Sequence, residues 1–406
     1  MKYKITNFKS KIILSVLFLI LNSSFLISQD TWVQTYQPFY NPAGDNDYYV
    51  EDIRVCPDGG FAVTGDYSYF DDWEQYKWGY LMKTDSDGNF LWAKKDTVSF
   101  YSETESTAFV VLDNGSYICV GKNAWIGGGH YIIKRDSNGD RHWVLQSDPD
   151  YSIEAMELTD NGNLITTGSS MDDTINLQKF DPEGNLIWRE TYLPDGFEYG
   201  GGRSVIQTSD GGYAITGSIH SENTDIIILK TDANGDSLWT WTYDGYGLID
   251  RGNCITNTYD GDILIGGYLN YNPPIYHYGF LGKFDLLGNN LFIHQFETWH
   301  IRSCLQDNDN NYVIYSGHAM LKTNDFGDTL WYNVLPYSSL NCEPGNEKSI
   351  QSIDTGYICV SIDRISGQDY IVLYKTNESG IVPVSDNIIF FENNWNLRNY
   401  PNPFNP

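Results

Sequence analysis

The stretch Ile226–Tyr243, "IIILKTDANGDSLWTWTY", decides the fold. Ile226, Ile227, Ile228 and Leu229 run without alternation, as a strand does when both faces of its sheet are covered. Asp232-Ala233-Asn234-Gly235 then reads as a tight turn, because Asp and Asn bond their own backbone and Gly supplies a positive φ. Trp239, Trp241 and Tyr243 follow at every second position and so share one face of the next strand. Upstream, Ser204–Thr208 and Tyr213–Gly217 flank the turn Asp210-Gly211-Gly212, so the spacing predicts four strands: 204–208, 213–217, 226–231 and 237–243.

This unit recurs. Its second half returns as Lys83-Asp85-Gly88-Trp92, Lys134-Asp136-Gly139-Trp143, Lys179-Asp181-Gly184-Trp188 and Lys230-Asp232-Gly235-Trp239. It drifts to Lys283-Asp285-Gly288-Phe292 and Lys322-Asn324-Gly327-Trp331, and loses its aromatic at Lys375-Asn377-Gly380. A turn and strand precede each copy, as in "DGGFAVTG" (58–65), "DNGNLITTG" (160–168) and "DTGYICVS" (354–361). The lysines recur about every 49 residues. Short strands at a period of ~40–50 residues are the signature of a propeller blade, so the expected fold is all-β: a seven-bladed β-propeller of four-stranded antiparallel blades. Trp92, Trp143, Trp188, Trp239 and Trp331 read as structural wedges between blades.

Closure is legible too. Asp30–Tyr36, "DTWVQTY", matches the fourth strand of a blade but stands before the first blade. The last blade's own fourth strand, "GIVPV", contains Pro383, which cannot donate to a ladder. Residues 31–36 are therefore expected to pair with the strand near 370–376. The repeat resembles that of secreted bacterial β-propeller proteins over roughly residues 31–386, a likeness that implies architecture far more than activity.

The two ends suggest an address. Lys2, Lys4, Lys9 and Lys11 precede the apolar run Ile12–Ser28, which reads as a secretory signal peptide over residues 1–28. The propeller is then expected over 29–386. Residues 387–406 form a linker ending in Asn399-Tyr400-Pro401-Asn402-Pro403-Phe404-Asn405-Pro406. That string resembles the opening of the C-terminal sorting domain of type IX secretion cargo, with the domain itself cut off after its first residues. The resemblance implies recognition by that secretion machinery and a secreted or cell-surface location in a Gram-negative bacterium.

Composition limits partners. The 406 residues carry 25 Lys+Arg against 53 Asp+Glu, a net charge of −28 that becomes −32 without the leader. Such a balance disfavours nucleic acid. Six cysteines fit an oxidising compartment only loosely. Cys56, Cys119, Cys254, Cys304 and Cys359 fall on strands and read as buried thiols, while Cys342 lies in a loop, where a bridge to Cys304 is one option.

In a blade of strands a to d, the a–b and c–d turns share one end of the disc and the b–c and d–a loops the other. The second set varies most and is aromatic and acidic, so a binding site is expected there. Trp73, Trp78, Trp125, Tyr199, Tyr271, Tyr276, Trp299 and His300 are the candidate ligand-binding residues, since ring faces stack on sugars or peptides. Arg203 and Arg251 stand among the same loops, as do His130, His220, His277 and His318. No catalytic set and no metal-ligand spacing is visible. The D-x-[DN]-G turns are oxygen-rich in the manner of Ca²⁺ loops but lack an EF-hand's bidentate Glu, which favours plain hairpin turns. The expected function is a monomeric, non-enzymatic binding module for a glycan, peptide or surface protein. The competing class is a polysaccharide hydrolase or lyase with its site on the same face.

Overall fold

The computed structural model describes residues 31–39, 46–71, 74–96, 104–123, 129–245, 247–271, 276–297, 300–316, 319–335, 349–351, 356–365 and 368–381. The leader, the C-terminal motif, Cys342, Trp73, Trp125 and Trp299 lie outside these residues, as do the side chains of Tyr271 and Tyr276. Among the described residues, no helix is long and apolar enough to cross a membrane.

The chain forms seven four-stranded antiparallel sheets, each ordered a-b-c-d. The seventh takes its outer strand from the start of the chain, in the order Trp32–Tyr36, Gln368–Thr376, Tyr357–Ile365, Ser349–Gln351. Trp32 stands opposite Lys375 and Tyr36 opposite Ile371, the closure expected from sequence. The a strands touch their neighbours around the ring and line a central channel.

The run Ile226–Leu229 shows why the core reads as it does. Ile226 and Ile228 pack with Ile263, Ile265 and Phe280 of blade 5. Ile227 and Leu229 face the other way, onto Ile165, Ile175 and Leu177 of blade 3. Every second residue serves a different interface, so no position can be polar. The repeated tryptophans sit at these seams: Trp92, Trp143, Trp188, Trp239 and Trp331 each pack on the apolar cluster joining their blade to the next. Trp32, borrowed by blade 7, does the same against blade 1.

Strand lengths depart from expectation. In blade 4 the strands are Tyr199–Gln207, Tyr213–His220, Thr224–Thr231 and Ser237–Tyr243, so a, b and c extend toward the b–c/d–a end. Blade 1 differs more: Phe61–Asp71 and Glu74–Thr84 turn the expected b–c loop into a long hairpin. Tyr67 stands directly opposite Trp78, and Tyr69 opposite Tyr76. Such aromatic cross-strand pairs stabilise a ladder by roughly 0.2–1 kcal/mol each, which favours strand over loop.

Candidate functional site

The longer a strands carry residues expected in d–a loops onto the channel wall. Arg203 belongs to strand a of blade 4, and Arg251 begins strand a of blade 5, Arg251–Asn257. In blade 4 the register shifts between Gly202 and Ser204, leaving Arg203 as the extra residue of a β-bulge. A bulge frees its residue from the ladder and re-aims its side chain. Gly202 before it has a steric role, since a Cβ there would collide with the Thr167 side chain of blade 3.

The charges that bear on this side chain come from several blades. Arg203 feels the charges of Arg251 on blade 5, Glu154 on blade 3 and Glu51 on blade 1. A residue of blade 4 reaches blade 1 only through the channel. Lys122 of blade 2 likewise feels Glu154, Glu105 and Glu51. A charged band thus runs along the channel wall from blade 1 to blade 5 near the b–c/d–a mouth.

On the first blades this band is paired from blade to blade. Lys77 lies 2.6 Å from Glu105, and Lys122 2.9 Å from Glu154. Burial works against the charge on Glu154, but Lys122 outweighs it and holds the carboxyl below its ordinary range. Burial pushes Asp66 up to about 7, against Lys77. His130 is buried, and among the described residues neither ring nitrogen is hydrogen-bonded; burial pushes its pKa down to about 4, against the pull of Glu154.

The pairing then stops. Lys122 follows Gly121 on strand b of its blade; the residues after the matching Gly168 and Gly217 are Ser169 and Ser218. Among the described residues neither Arg203 nor Arg251 makes an ion pair or hydrogen bond, and Arg251 Nε is buried without a partner. Burial first, and then the charge of Arg251, draw the Arg203 pKa below its ordinary value.

Three of the sequence-predicted aromatic residues have described side chains. Trp78 stacks on Tyr76 at 5.9 Å and Tyr67 at 6.3 Å, and the Lys95 ammonium sits 4.1 Å from its ring. It packs against the blade 1–blade 7 core. Tyr199 is 44% exposed and stacks on His220 at 4.3 Å. His300 stacks on Tyr268 at 3.7 Å. Tyr199 pairs with His220 across blade 4, and Arg251 with Tyr268 across blade 5, so each arginine's blade carries an aromatic–imidazole plate. The two arginines, named from sequence only as loop residues, are the functional candidates that sequence underweighted. The bulge behind "GGGR" was the available signal.

At the opposite mouth lies a cavity of about 610 Å³, lined among others by Arg54, Glu157, Gln207, Tyr259 and Gln306. Several of its polar groups are committed. Arg54 bridges the channel to Glu157 at 3.1 Å and also holds Asp52 at 3.0 Å. Gln207 Oε1 accepts from the Asp160 N–H, and Gln306 Oε1 from the Tyr259 N–H.

The repeat's polar signature is structural. Lys83, Lys230 and Lys283 ion-pair with Asp58, Asp210 and Asp260 of their own a–b turns. Where that turn residue is Asn114 or Asn161, Lys134 bonds Pro182 O and Lys179 lies over the Tyr213 ring instead. Asp85, Asp136, Asp181, Asp232 and Asp285 each accept two backbone N–H bonds through Oδ1, the hairpin role favoured over a Ca²⁺ loop. Among the described residues no group of three His, Cys, Asp or Glu could hold a metal. Cys56, Cys119, Cys254, Cys304 and Cys359 are buried free thiols, and Cys304 Sγ faces Cys254 Sγ at 3.2 Å.

These features define the chain as a seven-bladed β-propeller. No family model matches it, and no curated protein does. Solved structures with this fold include Raptor of Chaetomium thermophilum, with TM-score 0.53 and 11% identity over 82% of this chain and 28% of that one. A quinohemoprotein alcohol dehydrogenase of Pseudomonas putida has TM-score 0.51 and 12% identity over 89% of this chain and 78% of that one. The periplasmic gluconolactonase of Pseudomonas aeruginosa has TM-score 0.50 and 11% identity over 70% and 85%. At such identities the likeness concerns the fold alone.

Proposed function

We propose that this propeller is a non-enzymatic binding module, exported to the cell surface or medium, whose ligand sits at the b–c/d–a mouth of its channel. The observation that carries this reading is the contrast between the two mouths. At the a–b end ion pairs and hydrogen bonds tie Arg54, Glu157, Gln207 and Gln306 to partners, whereas at the other end, among the described residues, Arg203 and Arg251 have neither, on blades that carry stacked aromatic rings. Unpaired polar groups converging on a concave, ring-lined surface are what a ligand site offers. Glu105 and Glu154 there are each ion-paired with a lysine of the neighbouring blade, an arrangement that supports a structural part for these two acids.

The basic-apolar leader and the Asn399–Pro406 motif support export by a type IX route, with the secretion machinery as one partner and a glycan, peptide or surface protein as the other. Glycan and peptide arrays probed with the full chain test the binding reading. Ligand capture that falls at least tenfold in Tyr199→Ala or His300→Ala, with an unchanged melting temperature, is the expected result. Capture insensitive to both variants would move the site elsewhere. Turnover of a captured glycan would replace this reading with the hydrolase or lyase.

A further inference from the structure

We infer that Arg203 and Arg251 form the receptor for the carboxylate of an acidic saccharide, a uronate, at the b–c/d–a mouth. This deepens the binding-module reading and rests on it.

Consecutive blades are tied by Lys77 with Glu105 and by Lys122 with Glu154. Blades 3 and 4 carry Ser169 and Ser218 at the strand-b position of Lys122, and among the described residues the two guanidinium groups on the adjacent inner strands of blades 4 and 5 have no carboxylate paired with them. The acids nearest on blades 2 and 3 are already held by lysines. Surface charges more than a Debye length away, about 8 Å at physiological ionic strength, contribute little. In a chain with 53 acidic residues, two cations left side by side are a local exception.

Desolvation points the same way: among the described residues buried Arg251 Nε has no acceptor, and the Arg251 charge works against that of Arg203. A buried donor left without an acceptor forfeits its hydration with nothing in return. One oxyanion between the two side chains removes both penalties, and the planar guanidinium fork matches a carboxylate bidentately.

The surroundings of the two arginines indicate what carries the carboxylate. The Tyr199–His220 and Tyr268–His300 plates stand on the same two blades as the arginines. A ring face beside an arginine fork fits a saccharide whose C–H face stacks while its acid is captured.

The test is calorimetric titration of the full chain with hexamers of galacturonate, glucuronate and mannuronate, their methyl esters, and a neutral glucose hexamer. At least one uronate is expected to bind, with its methyl ester tenfold or more weaker. Arg203→Gln and Arg251→Gln should each weaken the acid at least tenfold and abolish its preference over the ester. Their melting temperatures should hold or rise, because the variants remove like-charge repulsion; a structural role would lower them. Equal binding of acid and ester, full affinity in both Gln variants, or no uronate bound would overturn the inference. If the neutral hexamer alone binds, and binds less well to Tyr199→Ala, the inference falls while the binding-module reading stands.

Discussion

Gly88 illustrates how single positions carry the ring. Its φ is +78°, and a Cβ there would lie 2.7 Å from a ring carbon of Trp32. Equivalent turn glycines meet Trp92, Trp143, Trp188, Trp239 and Trp331, so each wedge rests on the turn of the next blade. Gly162 shares the backbone strain, with φ +79°, but has nothing within 4 Å of its added Cβ. Gly162→Ala should therefore cost only the backbone term, about 1 kcal/mol. Gly88→Ala should cost roughly 2–4 kcal/mol, because overpacking adds to it. Denaturant titration checks both, and equal losses would show that the wedge does not bear on the turn. The sequence showed the glycines and tryptophans as two lines of one motif. It did not show that they meet across blades, because that contact joins residues about one repeat apart.

At the scale of the element, the closing strand is the decisive one. Trp32–Tyr36 supplies the outer edge of blade 7, buries Trp32 against blade 1, and donates a hydrogen bond from the Tyr36 hydroxyl to Gly88 O at 2.6 Å. Deleting residues 29–37 should lower the melting temperature sharply, since it strips a ladder and opens a seam between blades. An unchanged melt would show that the ring holds without it. This pairing was readable because "DTWVQTY" repeats a known strand and Pro383 disables the alternative. Strand ends were less readable. The aromatic segments of blade 1 have the composition of a binding loop, and only cross-strand pairing makes them a hairpin.

Over the whole molecule, acid stability is a balance of buried groups. Burial lowers His130 from 6.5 to about 4, so the folded chain binds that proton more weakly than the unfolded chain. Its contribution is fully present above pH 6.5 and lost as pH falls toward 4, about 3 kcal/mol in all. Asp66 and Asp250 act in the opposite sense: burial raises them to about 7 and about 6, so the folded state holds their protons more tightly and gains on acidification. His130→Gln removes only the first contribution. Between pH 7 and pH 4 the variant should therefore gain about 3 kcal/mol relative to the parent. A pH-independent difference in denaturant titrations would mean that His130 is not held neutral by burial.

Blade number, strand order, the wedge positions and ring closure were all set by local chemistry: turn residues, a two-residue side-chain period, and their repetition. Such signals act over a few residues and survive in a linear reading. Which charges meet was decided only by the closed ring. Arg203 senses Glu51 across the channel, and Arg251 is its neighbour on the next inner strand. Curvature brings together positions roughly a blade or more apart in sequence, and a one-residue bulge re-aims Arg203 into the channel. The opening hairpin told how each blade is built; the identity of its exposed chemistry depended on the six blades packed around it.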